Sequence, residues 1–102
     1  MSVIQYRIRG ISGNLVRTYF FAASQQSKSG IERSPLPPRS SDYSLYFVLG
    51  SPVFYYLKER IFSAIAPKEK IPQITKALKT AFPRQAHAKI DLIKIIEANN
   101  QH

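Results

Sequence analysis

Between Val3 and Arg9, Ile4, Tyr6 and Ile8 alternate with the polar residues Gln5, Arg7 and Arg9. This period of two predicts a half-buried β-strand. Residues 10–14 include types that tolerate a positive φ angle, and residues 15–21 are rich in β-branched and aromatic side chains. Together these segments predict an N-terminal β-hairpin, with a turn at 10–14 and a second strand at 15–21.

Residues 23–42 contain many serines, three prolines and few large aliphatic side chains. This composition predicts a long polar loop, and its Ser34–Arg39 segment has polyproline-II character. Strand composition returns from Tyr43 to Leu49, just before Gly50.

The next segment, residues 52–65, supports two interpretations. Ser51 and Pro52 suit the start of a helix, and an apolar side chain follows at every fourth position from Val53 to Ile65. The run of Val, Phe and Tyr residues instead favours a further strand, because these types are poor helix formers. The sequence leaves both interpretations open.

Residues 71–82 predict an amphipathic helix that Pro83 ends, and residues 89–96 predict a closing strand. The predicted architecture is one small α+β domain over residues 1–102. Its antiparallel sheet of three to five strands starts with the N-terminal hairpin. One face of the sheet is covered by the helix at 71–82 and, on the helical interpretation, by a second at 52–65.

The chain has 102 residues, fifteen Lys and Arg against six Asp and Glu, a net charge of +9 and no cysteine. The lack of cysteine excludes disulfides and thiolate metal sites. No apolar run reaches the roughly eighteen residues of a transmembrane helix, and Arg7 and Arg9 interrupt the stretch where a signal peptide would be apolar. We therefore expect a cytoplasmic or other intracellular location and no integral membrane association.

Residues suited to catalysis are few. His87 lies in a basic connector that offers no carboxylate to orient it, and the six carboxylates never occur as a close pair. Neither zinc-ligand spacing nor a glycine-rich phosphate loop is present. The sequence predicts a protein that is not an enzyme and that needs no metal and no cofactor.

The positive charge is built into the predicted elements. Residues 1–22 contain three arginines and no acid, and residues 53–102 contain nine cations against four acids. If Arg9 lies opposite Leu15 in the predicted hairpin, Arg7, Arg9 and Arg17 lie on one outward face with Tyr19. A register shifted by one residue instead points Arg17 and Tyr19 inward. Such a face suits single-stranded nucleic acid, because guanidinium groups contact phosphates and a ring stacks on a base.

The predicted helix region adds a second cationic strip, formed by Lys68, Lys70, Lys76, Lys79 and, just beyond the helix, Arg84. Of these, Lys76, Lys79 and Arg84 are the candidate phosphate contacts. The resulting hypothesis is non-enzymatic binding of nucleic acid, single-stranded or directed at the backbone. The alternative is a protein assembly or linker module that forms homo-oligomers or docks an acidic protein partner, through exposed aromatic side chains and a basic face. The twelve Phe and Tyr residues support this alternative, since alternation cannot bury all of them.

Overall fold

The computed structural model describes residues 1–34 and 43–97. Its elements, in chain order, are β1 (Ser2–Arg9), α1 (Gly13–Ser24), β2 (Ile31–Arg33), β3 (Tyr43–Val48), β4 (Ser51–Tyr56), β5 (Ile61–Ala66), α2 (Ile71–Thr80) and β6 (Lys89–Glu97). All six strands form one antiparallel sheet in the order β2-β3-β4-β5-β1-β6. The α+β class with an antiparallel sheet is confirmed, and the six strands exceed the predicted three to five.

Both helices pack on the same face of the sheet. The Phe20 ring of α1 stacks on Phe62 of β5 at 4.8 Å between centroids and meets Tyr46 of β3 at 5.1 Å. The Thr75 hydroxyl of α2 shares a 2.8 Å hydrogen bond with the Tyr6 hydroxyl of β1. Tyr6 and Phe62 are cross-strand partners, so they mark the same face, which we call the helix side. The hydrophobic core lies between this face and the two helices.

The predicted N-terminal hairpin is wrong in its second half. β1 forms as predicted, but residues 13–24 are a helix. Ser12 caps this helix, because its side-chain oxygen accepts a 3.2 Å hydrogen bond from the Leu15 N–H. Val16, Phe20 and Ala23 are buried at the four- and three-residue spacing of one helix face. The small polar residues that predicted a turn thus lie at the start of a helix. Burial of side chains in the core favours helical spacing over the alternation of a strand.

Replacing Ser12 with Ala should remove this cap and lower the free energy of unfolding by about 1 kcal/mol. Stability is lost because the backbone N–H of Leu15, in the first turn of α1, then has no side-chain acceptor. Urea denaturation followed by circular dichroism measures it. Ser27→Ala, at an exposed position beyond the helix, is the control and should leave the midpoint nearly unchanged.

Residues 51–66 follow the strand interpretation, with β4 and β5 joined by a turn in which Arg60 has a φ of 56°. The helical interpretation, and with it a second helix at 52–65, is wrong. Alternate side chains from Ser51 to Tyr56 are buried, as expected for a strand with one face on a core. The segment predicted as a loop, 23–42, contains the end of α1 and the short strand β2, and residues 35–42 lie outside the described residues.

The other predicted elements are confirmed. β3 and β6 form within one residue of their predicted bounds, and α2 carries Pro72 in its first turn and ends shortly before Pro83. Ile74 and Leu78 of α2 are fully buried against the sheet. No helix in the two described ranges is long and apolar enough to cross a membrane.

Candidate functional site

The sheet face opposite the helix side, here called the open face, carries no helix from residues 1–34 or 43–97. Its side chains follow from the strand register, because alternate residues point to opposite faces. Two rows that cross the strands from β6 to β3 hold the side chains of interest. The first row is Asp91, Arg7, Ile61, Tyr56 and Tyr43, and the second is Lys94, Gln5, Ser63, Phe54 and Leu45.

Three rings form an aromatic cluster on β3 and β4: Tyr43, Phe54 and Tyr56. The Tyr43 ring lies 5.6 Å from Phe54 and 5.9 Å from Tyr56, in edge and tilted arrangements. Tyr43 is 37% exposed, and the other two rings are half-buried. A flat strand surface with rings at neighbouring positions can accept planar groups, since each ring offers a face or an edge to a stacked partner.

Cations occupy the other end of the same rows, on β1 and β6. Arg7 is exposed and makes no ion pair with any described residue. Arg9 instead pairs with Asp91 through its Nε at 2.8 Å, and both side chains of the pair are about half exposed. Lys94 lies beside Gln5, whose amide nitrogen donates a 3.0 Å hydrogen bond to the Ser63 hydroxyl. The open face therefore places an aromatic area next to a polar, cationic area.

The predicted patch of three arginines and a tyrosine does not assemble. Arg7 and Arg9 lie on the open face as predicted, but Arg17 and Tyr19 belong to α1 on the helix side. Tyr19 packs edge-on against Phe82 at 6.0 Å between ring centroids. Arg17 lines a cleft of about 460 Å³ between α1 and the β2–β3 edge, together with Arg33. The prediction fails for these two residues because it required a strand at 15–21.

The other predicted cations lie away from the open face. Lys76 and Lys79 are exposed on α2, whose buried residues face the helix side of the sheet. Lys79 and Arg84 line a groove of about 480 Å³ that reaches β6 at Lys89. The structure thus separates the predicted cations into two sets, one on the open face and one around α2.

Groups with acid–base potential are dispersed. His87 is exposed, with a left-handed φ of 56°, in the connector before β6. The buried Tyr55 hydroxyl has no hydrogen-bond partner among residues 1–34 and 43–97, and desolvation by burial raises the pKa of Tyr55 to about 12. A phenol with this pKa stays neutral at physiological pH. In the part of the chain that the structure describes, no group of three His, Cys, Asp or Glu side chains could hold a metal ion.

Sequence reasoning missed Tyr43, Phe54, Tyr56 and Lys94 as site residues. One signal was available, since Pro52, Phe54 and Tyr56 alternate with side chains that are now seen to be buried. That alternation has meaning only if the segment is a strand, and the fourfold apolar spacing offered an equally good helix. The rings became recognisable as one cluster only when the register placed β3 beside β4.

We find no match to this chain among protein-family models, curated proteins or solved structures. The function of this chain is therefore inferred from the side chains of the open face and their physical chemistry.

Proposed function

We propose that the protein binds single-stranded nucleic acid on the open face without catalysing a reaction. The observation that carries the proposal is the aromatic cluster lying in the same cross-strand rows as Arg7 and Lys94. Bases stack on Tyr43, Phe54 and Tyr56, and the cationic side chains contact phosphates. This division of roles is typical of proteins that hold single strands without strong sequence preference.

The spacing across the sheet supports this arrangement. Two strand spacings separate β4 from β1, which is about 10 Å. One strand of nucleic acid that crosses the sheet can place a base on Phe54 or Tyr56 and a nearby phosphate beside Arg7. Bases in a duplex are already stacked and paired, so their faces are inaccessible to a flat protein surface. The proposal is therefore specific for single strands.

Polar side chains between the aromatic cluster and the cations offer further contacts to the bound nucleic acid. Gln5 and Ser63 lie midway between Phe54 and Lys94. The Gln5 amide nitrogen donates to the Ser63 hydroxyl, so the side-chain oxygen of Gln5 is left as an acceptor for a base edge. The Arg9–Asp91 pair is exposed, and exposed ion pairs contribute little stability. A phosphate can therefore compete with Asp91 for the Arg9 guanidinium.

The cations around α2 take a different role in this proposal. Lys76, Lys79 and Arg84 are exposed on the helix side and its border, so one strand bound on the open face does not contact them all. Their positive field instead attracts polyanions over a distance and raises the association rate at low salt. We expect their replacement to change the rate of association more than the rate of dissociation.

The test is a titration of a labelled single-stranded oligonucleotide with the protein at several salt concentrations. The association constant should fall steeply with salt, because each neutralised phosphate releases a counterion. Arg7→Gln should weaken binding and reduce the slope of log K against log salt by about 0.7. The matched control is Lys28→Gln, which removes the same charge from an exposed position beside α2.

Absence of binding at low salt would overturn the proposed function. So would equal effects of Arg7→Gln and Lys28→Gln on affinity and slope, since the loss would then reflect net charge and not the open face. A duplex of the same sequence is the second comparison, and it should bind more weakly than the single strand.

A further inference from the structure

Strand β6 is the edge of the sheet and is unusually apolar for an exposed edge. Its outer side pairs with no strand in residues 1–34 or 43–97. Leu92, Ile93, Ile95 and Ile96 are between 38% and 45% exposed. A long apolar edge strand presents unpaired N–H and C=O groups beside hydrophobic side chains, which makes it a template for another strand.

Both faces of β6 contribute to this apolar surface. Leu92 and Ile95 pair with Tyr6 and Ile4, so they point to the helix side, whereas Ile96 pairs with Val3 on the open face. The register shifts after Gln5, which leaves Ile93 as an extra residue in β6. The helices cover the inner strands fully but leave the helix side of β6 about half uncovered. A neighbouring strand would bury apolar side chains on both faces.

Natural sheets protect such edges with proline, charged side chains such as lysine, bulges or very short strands. β2, the opposite edge, follows this rule with three residues, two of them charged. β6 has nine residues and no proline. Its bulge adds an exposed aliphatic side chain at Ile93, and its two lysines are balanced by two acids, in a chain whose net charge is +9. The near-neutral β6 edge therefore repels a second copy of this basic protein less than its positively charged surfaces do.

We infer that two copies pair through β6, antiparallel, to form one continuous twelve-stranded sheet. Asp91 and Lys94 of β6 both point to the open face, so antiparallel pairing can set Asp91 of each copy opposite Lys94 of the other, and the twofold axis repeats this complementary contact. Asp91 already pairs with Arg9 at 2.8 Å, with both side chains about half exposed, so it can be shared. The pairing satisfies the backbone groups of both edges and covers the exposed aliphatic side chains.

The dimer extends the proposed site. The twofold axis is normal to the sheet, so both open faces lie on the same side of the dimer. Arg7 and Lys94 of each copy lie toward the contact between the two β6 strands. A longer single strand could then contact both copies, and its affinity would gain from the two linked sites. This consequence rests on the proposed function, whereas the dimer does not.

Sedimentation equilibrium from micromolar to millimolar protein tests the dimer. The wild-type chain should approach twice its monomer mass of 11.6 kDa. Ile93→Lys combined with Ile95→Lys should remain monomeric, because lysines on the edge oppose strand pairing. Leu15→Lys is the control, since Leu15 is 45% exposed on α1, and Arg17 of the same helix lines a cleft with Arg33 of β2, the edge strand opposite β6. It should dimerise like the wild type.

Crosslinking provides a second measurement that does not depend on charged variants. The chain has no cysteine, so Ile93→Cys introduces one thiol on β6. A short bis-maleimide should crosslink this variant into a covalent dimer, and should not crosslink Leu15→Cys. A wild-type chain that is monomeric at every concentration, or crosslinking of Leu15→Cys in preference to Ile93→Cys, would overturn the inference.

The open-face site and the β6 dimer can be refuted independently. If the protein dimerises but Arg7→Gln leaves oligonucleotide binding unchanged, the open-face site is refuted and the β6 dimer is not. If the protein is monomeric and Arg7→Gln weakens oligonucleotide binding, the β6 dimer is refuted and the open-face site is not.

Discussion

Replacing Phe54 and Tyr56 together with Ala is expected to weaken binding of a single-stranded oligonucleotide by about 30-fold to about 10⁴-fold. This range follows because each base stacked on an aromatic ring contributes about 1–3 kcal/mol, and about 1.4 kcal/mol corresponds to a factor of ten. Both rings belong to the aromatic cluster on the open face. Fluorescence anisotropy of a labelled oligonucleotide at low salt measures the change.

The control is Phe21→Ala, which removes a ring that is 46% exposed on α1, on the helix side. It should leave the affinity within about twofold of the wild type, because Phe21 lies on the side of the sheet opposite the proposed site. Far-ultraviolet circular dichroism checks that the double variant keeps its sheet. If the Phe54 and Tyr56 double variant, still folded, binds as tightly as Phe21→Ala, stacking on the open face is excluded.

Replacing Phe20 with Ala is expected to lower the free energy of unfolding by about 3–5 kcal/mol. Phe20 is fully buried and joins three elements, because its ring contacts Phe62, Tyr46 and, at 5.5 Å, Phe82. Removing the ring leaves a cavity that α1, the sheet and the segment after α2 would all have to fill. A typical domain has only about 5–15 kcal/mol of stability, so the variant should be close to unfolding.

Guanidinium or urea denaturation of both Phe→Ala variants gives the comparison. Phe21 is the next residue along α1, yet it is exposed, and the Arg33 guanidinium lies 5.4 Å from the centre of its ring. We expect Phe21→Ala to cost less than about 1 kcal/mol. Equal losses at positions 20 and 21 would show that the face of α1 that packs on the sheet has been assigned wrongly.

Elements with one clear hydrophobic period were predictable. The alternation in β1 and the helical spacing in α2 each had a single interpretation, and Pro72 and Pro83 marked the ends of α2. The segment that became α1 misled because Phe20 and Phe21 are adjacent aromatics, a feature typical of strands. Only Phe20 is buried, and the burial of Val16 and Ala23 beside it shows the helical period that composition concealed.

The candidate site was predictable in part for the same reason. Arg7 and Arg9 follow from the alternation of β1, which places them opposite the buried Ile8. The aromatic cluster could not be predicted, because Tyr43 and Phe54 become neighbours only through the pairing of β3 with β4. A change of one residue in strand register moves every side chain to the other face, and the register of β3 with β4 has meaning only once residues 51–56 are known to be a strand.

The amino-acid sequence alone determined the α+β class, the positive charge and the outward direction of the β1 arginines, because these depend on composition and on spacing between near neighbours. Tertiary packing decided that residues 13–24 are helical, that Arg17 and Tyr19 leave the predicted patch, and that three rings share the open face. These outcomes depend on contacts between residues distant in the chain, where burial of Phe20 against Phe62 outweighs local preference. The placement of an apolar strand at the edge of the sheet is of the same kind, since only the strand order reveals it.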